Sequence, residues 1–446
     1  LLDLDELLSI LRPYYSDIGR PSAPAPDILR SLALMVHFKD ESIDAWVGRL
    51  RSDDLLAVIC GFAPGQVPGV ATFYAFQDRF WPGRQLYHIR KAKKKRKEKP
   101  AKGEKLPLKN PGVVKRIVKR LLAGRTFNCK EENVLHQILA ISVVRPSLDL
   151  GLLGDPGSMT IAGDGSPYEG GGSPYGKKIC LCQEKCDCER RFSDPEADWG
   201  WDSSHNIWFY GYTGYDITAA GSKHDLPIYI GMGQASRHDS IMGLRCLDEV
   251  RRLYPDLAFT RFLADSAHDA YPYYELLNFW QIEPFIDLNK RRASGSGDGP
   301  KVDDLGVPIC ASGERMVNWG YCKDRCRIKW RCPLACGRVK ECSCKDACSS
   351  SSYGRVIYTK VDTDPRLFTR TVRGSQAWND AYKRRTTCER SIKRKKIDYR
   401  MKHTRMRSKR RRLWQLTLGA VNQHLDAWRA DFPISIMGLL ELENAA

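Results

Sequence analysis

No run in this 446-residue chain is apolar for long enough to span a bilayer, and its opening residues show no secretory-leader pattern. Both absences lead us to expect a cytoplasmic protein with no membrane partner. The cysteines lack the common Cys-x2-Cys spacing, although there are sixteen of them. The glycine-rich stretch GDGSPYEGGGSPYGKK, which begins just after an apolar run, lacks the Gly-Lys-Ser/Thr ending of a phosphate-binding loop, so we read it as a flexible loop. Acidic residues, finally, are nearly missing from two segments.

Those two segments carry the charge. Residues 90–105 hold ten Lys/Arg against Glu98 and Glu104, a net of +8. Residues 382–412 hold sixteen against Glu389 and Asp398, a net of +14. The whole chain is +19, so everything outside them is slightly acidic. Such concentration predicts a polyanion gripped at two places, with Lys93, Lys94 and Lys95 among the gripping residues.

The chain falls into successive zones. Residues 1–89 read as an all-helical domain. Asp27–Phe38 is apolar at helical spacing, Ser42 and Asp53 stand as caps of two further helices, Gly61 ends the last of them, and Val70–Phe80 is a short aromatic helix. Helices broken by tight turns resemble a helix-turn-helix, whose last helix enters a major groove; a bundle without DNA contact is the plain alternative. A basic linker, 90–106, and a helical connector, 107–155, follow. Strands are expected at Met159–Ala162, Trp208–Thr218, Leu226–Met232, Phe259–Ala264 and Ile282–Leu288, with helices at Ser240–Tyr254 and Tyr271–Trp280. Residues 291–353 are a cysteine-rich insert, and 405–446 a helical close with an amphipathic helix at 405–429.

One stretch orders the rest. In Tyr382–Lys396 the spacing is Y-x2-R-x3-E-x6-K, and on one continuous α-helix Tyr382, Arg385, Glu389 and Lys396 share a stripe about 60° wide. Lys393 falls on the same side, while Lys395 points away as a solvated neighbour. The plain reading is a solvated basic helix with one incidental acid. The spacing resembles, however, the signature of DDE transposases of bacterial insertion sequences, in the subgroup named after those four letters. GVATFYAFQDRF looks like the end of the helical domain that precedes the core in many of them. The order β-β-β-α-β-α-β is similar to their ribonuclease-H-like core, a mixed five-stranded sheet with helices, here over 156–290 and 354–404 and interrupted by the insert.

The resemblance implies that Asp164, Asp265 and Glu389 hold two Mg²⁺ or Mn²⁺ ions, the first two at strand ends. Hard carboxylate oxygens suit such ions. Asp239 and Asp269 are rivals for the second place, each also explained as a helix cap. Tyr382, Arg385 and Lys396 would hold phosphates near the cleaved end. The partners implied are double-stranded DNA, both terminal inverted repeats and target, and a second copy of the chain, at the bacterial nucleoid. Two alternatives stay open: a domesticated relative that binds without cutting, and a ribonuclease-H-like nuclease without strand transfer.

The cysteines depart from that pattern. Cys180, Cys182, Cys186 and Cys188 form one group, and Cys322, Cys326, Cys332, Cys336, Cys342, Cys344 and Cys348, after Cys310, another. Their density predicts two or three structural zinc sites of four thiolates each, against free buried thiols or another metal. His205, His224 and His238 read as structural. Trp319 and Trp330 read as packing or as a platform for an extruded base.

Overall fold

A computed structural model describes residues 4–19, 21–81, 103, 112–127, 132–184, 186, 188–289, 300–342, 348–402 and 406–433. Lys93, Lys94, Lys95 and Cys344 lie outside them. The helices are α1 (Asp5–Leu11), α2 (Ala25–His37), α3 (Ile43–Ser52), α4 (Asp54–Cys60), α5 (Val70–Arg79), α6 (Val113–Leu122), α7 (Asn133–Leu139), α8 (Arg145–Asp149), α9 (Asp239–Leu253), α10 (Tyr271–Phe279), α11 (Gln376–Tyr382), α12 (Thr386–Lys393) and α13 (Lys409–Asp431). The strands are β1 (Met159–Glu169), β2 (Lys177–Lys178), β3 (Arg190–Arg191), β4 (Asp198–Asp202), β5 (Ile207–Ala219), β6 (Pro227–Gln234), β7 (Phe259–Ala264), β8 (Glu283–Ile286), β9 (Val317–Cys322), β10 (Arg327–Arg331) and β11 (Val356–Lys360). The chain is thus mixed α/β with both antiparallel and parallel strand pairs. It forms two compact units: Leu1–Gly112, Thr126–Ala258 and Thr387–Ala446, and Val113–Arg125 with Phe259–Thr386.

In the first unit β5 is central. It pairs antiparallel with β1 on one edge and with β4 and then β6 on the other. Glycines let helices come close to this sheet. A Cβ at Gly233 would lie 2.6 Å from the Met242 sulfur of α9, and one at Gly231 would strike the Cys246 thiol. A Cβ at Gly214 would sit 2.6 Å from the Tyr168 ring, which is buried on the opposite face. That ring explains why β1 runs on through Glu169. The stretch expected to be a flexible loop is strand for its first seven residues, because Tyr168 needs the space between β5 and α13.

The N-terminal helices match their capping signals. The Ser42 hydroxyl accepts from Ala45 N–H, the Asp53 carboxylate from Leu56 N–H, and Gly61 ends α4 at φ 101°. They do not stand apart from the strands. Asn422 of α13 donates to the Ala33 carbonyl at 2.9 Å, Trp414 donates to the Gln77 carbonyl, and Trp414 meets Phe76 at 5.8 Å. In α5, Phe73, Phe76 and Gln77 are buried and Arg79 is committed to Tyr14 and Tyr15, so its open face offers Ala71 and Ala75.

α13 begins at Lys409, capped by Ser408, and is buried nearly all round rather than on one stripe. It lies between the N-terminal helices and the sheet, so even Arg410 and Arg412 are enclosed. Lys409 pairs with Glu132 at 2.7 Å. Burial alone would raise the Glu132 carboxyl, but Lys409 and Arg245 outweigh it and hold the group at about 2.

In the second unit β7 and β8 run parallel, and α6 packs against α10. The insert expected at 291–353 carries β9 and β10, and their antiparallel sheet β9-β10-β11 runs on into Val356–Lys360, a stretch expected to belong to the catalytic core. It has its own core of Ile328, Trp330, Met316, Val307, Leu367 and Phe368. Trp330 is in that core, donating to the Thr359 hydroxyl at 2.9 Å, while Trp319 is 49% exposed and stacked under Arg331.

Candidate active site and metal centre

Asp164 is not at a strand end. It is the sixth residue of β1, at the point where full burial gives way to partial exposure. Its partner across the β1–β5 ladder is Asp216, and directly opposed residues point to the same face. Asp216 is buried, with Lys395 on its carboxylate. Asp164 therefore faces the side of the sheet covered by α12. Asp239 lies on the other side: a Cβ at Gly165 would collide with its carboxylate, and alternation turns Gly165 away from Asp164. Asp239 is no cap, since His238 caps α9, and it is removed from the face that matters.

Tyr382–Lys396 is not one α-helix. α11 ends at Tyr382, a 3-10 turn covers Lys383–Arg385, α12 follows, and a wide π turn covers Arg394–Asp398. The altered turns rotate the segment, and Lys395 does not point into solvent. Its side chain is 0% exposed, paired with Asp216 and 3.1 Å from the Ser391 hydroxyl. Glu389 and Lys393 of α12 are exposed. Lys396 places its ammonium 4.9 Å from the Tyr168 ring centroid, on the same sheet face as Asp164. Burial lowers its pKa to about 8, against the opposing pull of Asp202.

Asp265 directly follows β7 in the second unit. One oxygen, Oδ1, accepts from Ala267 N–H at 3.1 Å and from His268 Nδ1 at 2.7 Å. Burial would raise this carboxyl; the His268 hydrogen bond and charge, the Ala267 N–H and the Arg385 guanidinium outweigh it and hold the group below the usual carboxylate range. His268 is fully buried and was not singled out by the sequence, where a histidine three residues past an aspartate carries no signal of its own. Tyr382 stacks on Trp378 at 4.4 Å, and Arg385 lies 5.8 Å from the Tyr382 ring. Asp269 is neither cap nor ligand: it is buried, bonded by Arg366 Nε at 2.8 Å and by Tyr274 and Asn289.

Each of these carboxylates offers the oxygen donor that suits a hard divalent ion, and Asp265 is held ionised. Asp164 and Glu389 belong to the first unit and Asp265 to the second. Much of the basic charge nearby is already spent. Arg390 pairs with Asp225, Arg394 with Asp426, Lys383 with Asp380 and Arg410 with Asp78. A net of +14 therefore overstates the unpaired positive charge of 382–412.

The thiols differ sharply between the two groups. Cys180, Cys182, Cys186 and Cys188 all present sulfur within 4.8 Å of one another at the tip of the β2–β3 hairpin. The Cys180–Cys186 and Cys182–Cys188 sulfurs are 3.3 and 3.7 Å apart. A tetrahedron with Zn–S bonds of about 2.3 Å has edges of about 3.8 Å, so a zinc ion fits. The Cys180 thiol, hydrogen-bonded by Cys186, is lowered to about 7. Among the described residues no other three or more ligand atoms gather this closely. Of the insert cysteines, Cys332 is buried beside Gly354, and Cys310 bonds Ser312. The expectation of two or three zinc sites thus has one geometric counterpart. His205, His224 and His238 bond Asp202, Asp431 and Ser240.

Among the described residues no helix is long and apolar enough to cross a membrane. No family model and no curated protein matches the chain. A solved structure described as the crystal structure of a pre-cleavage Mos1 transpososome is 11% identical, over 60% of this chain and 61% of that one, with a TM-score of 0.15. The match thus spans less than two thirds of that chain, and at this score it carries no argument about fold or function.

Proposed function

We propose that the chain is a DDE-type transposase of an insertion sequence, with a ribonuclease-H-like core. It would bind terminal inverted repeats, cleave a phosphodiester at the element's end to free a 3′-OH, and join that hydroxyl to target DNA, acting as a homodimer. The observation that carries the reading is the meeting of Asp265 with Tyr382 and Arg385, more than a hundred residues later, in one electrostatic neighbourhood. A solvated basic helix would have no reason to bring its Tyr and Arg to that aspartate.

Asp164, Asp265 and Glu389 would hold Mg²⁺ or Mn²⁺, whose chemistry is to activate water and neutralise the leaving oxygen. The chain's own part is preparation. His268 orients Asp265 and keeps it ionised, Arg385 and Tyr382 hold a phosphate beside it, and Lys396 offers a cation on the Asp164 face. The thiolates of 180–188 hold a structural zinc, and soft sulfur and hard oxygen sites do not compete.

The test uses a plasmid carrying this reading frame with its flanking DNA. Asp164→Asn, Asp265→Asn and Glu389→Gln should each abolish cleavage and leave DNA binding within about threefold of wild type, since phosphate contacts come from other residues. A variant that cleaves normally removes its residue from the set. Cleavage by the wild type without joined products would favour the nuclease reading, and binding without cleavage the domesticated one.

A further inference from the structure

Asp216 connects the strand of Asp164 with the helix of Glu389, both in the first unit. On β5 it stands directly opposite Asp164. Its carboxylate Oδ2 takes the Lys395 ammonium, and its backbone carbonyl accepts from the Cys388 thiol at 3.4 Å. Cys388 is the residue before Glu389, and Lys395 lies six residues after it. The ammonium also donates to Ser391 Oγ at 3.1 Å, and Ser391 is tied twice to Gln423 of α13, at 3.1 and 2.8 Å. Asp216, Lys395, Ser391, Cys388 and Gln423 are all buried. The other oxygen, Asp216 Oδ1, is buried without a hydrogen-bond partner, and among the described residues Lys395 is the one cation paired with this carboxylate.

We propose that the Asp216–Lys395 pair is a positioning clamp that fixes the Glu389 helix on the strand of Asp164, and so sets the spacing of those two carboxylates for a divalent ion. This rests on the carboxylate reading above. A buried ion pair is a poor source of net stability, because both charges must be desolvated, and an apolar pair of similar volume packs as well. What it does provide is register: the ammonium has one place to go, and the π turn at Arg394–Asp398 is the distortion that delivers it there. Lys395 and Asp216 touch no substrate; they act through Asp164 and Glu389.

The experiment is calorimetric titration of Mn²⁺ alone into the zinc-loaded full chain, with thermal melting and DNA binding in parallel. The double variant Asp216→Asn/Lys395→Met removes both charges together and should stay folded with unchanged DNA affinity. Its Mn²⁺ affinity should fall about tenfold, the lower end of what loss of a supporting group costs a metal site. A folded double variant with wild-type Mn²⁺ affinity overturns the clamp. Should it not fold, Ser391→Ala, which removes only the hydroxyl steadying the ammonium, reads the same quantity: a drop of about threefold supports the clamp and none overturns it. Asp164→Asn is the parallel control. If it too binds Mn²⁺ normally, the carboxylate reading has failed; if it loses Mn²⁺ while the double variant does not, only the clamp has.

Discussion

The β2–β3 hairpin and the segment 382–398 each concentrate chemistry into some fifteen residues, and they are organised in opposite ways. In the hairpin four thiols meet because a tight turn brings residues six apart together, with Lys178 closing on the Cys182 and Glu184 carbonyls. Nothing outside the hairpin is needed. In 382–398 the cations are sorted by what lies across the chain: Lys395 goes inward to Asp216, Lys396 lies along Tyr168, and Lys393 stays in solvent. Adjacent residues of one type thus have three different roles. Local clusters carry their meaning with them, whereas charge on a helix acquires it from the partner surface.

The largest expected effect would break the hairpin side of the comparison. Structural zinc binds such sites with roughly 10–16 kcal/mol, so elemental analysis should find one zinc per chain, and chelation should abolish hydrogen-exchange protection over 177–191. Because the contacts are local, the main melting transition should barely move. No zinc would refute the local reading, and more than one would return the insert cysteines to the metal count.

Lys395→Ala should do the reverse, lowering global stability by about 3–5 kcal/mol through an uncompensated buried Asp216. Urea denaturation reads this; a loss below 1 kcal/mol would mean that Asp216 finds another partner.

Lys396→Ala should cost roughly 2–4 kcal/mol in single-turnover cleavage, as expected for a positioned cation in an active site. Its pH dependence gives a second check. The folded pKa is about 8 against 10.5 for an ordinary lysine, so the unfolded chain binds more protons between those values. Across that window stability should rise with pH while cleavage falls, and Lys396→Ala should remove both slopes. Parallel slopes would exclude Lys396 as the cation in use.

The smallest effect is the control. Lys393→Ala changes the net charge by the same unit at an exposed site and should cost under 1 kcal/mol in either assay. A loss equal to that of Lys396→Ala would make 382–398 a uniform basic face and remove the contrast.

The sequence by itself determined the elements with strong local signals. Alternating and apolar runs marked β5, β6, β7 and α9 to within about two residues, and Ser42, Asp53 and Gly61 marked the N-terminal turns. It also isolated Cys180–Cys188, because ligand spacing is local, and it named Asp265 as the residue closing an apolar strand. Only the tertiary structure decided what depends on contact across the chain. It continued β1 past Asp164 because Tyr168 fills the space that Gly214 leaves open. It enclosed α13 between helices and sheet, turned Lys395 inward through a π turn, and supplied Asp265 with His268. The physical reason is that a periodic pattern records which face of an element is apolar, but not which buried polar group will meet it there. A lysine next to a lysine looks the same in sequence whether its ammonium ends in water, over a tyrosine ring or on a buried carboxylate.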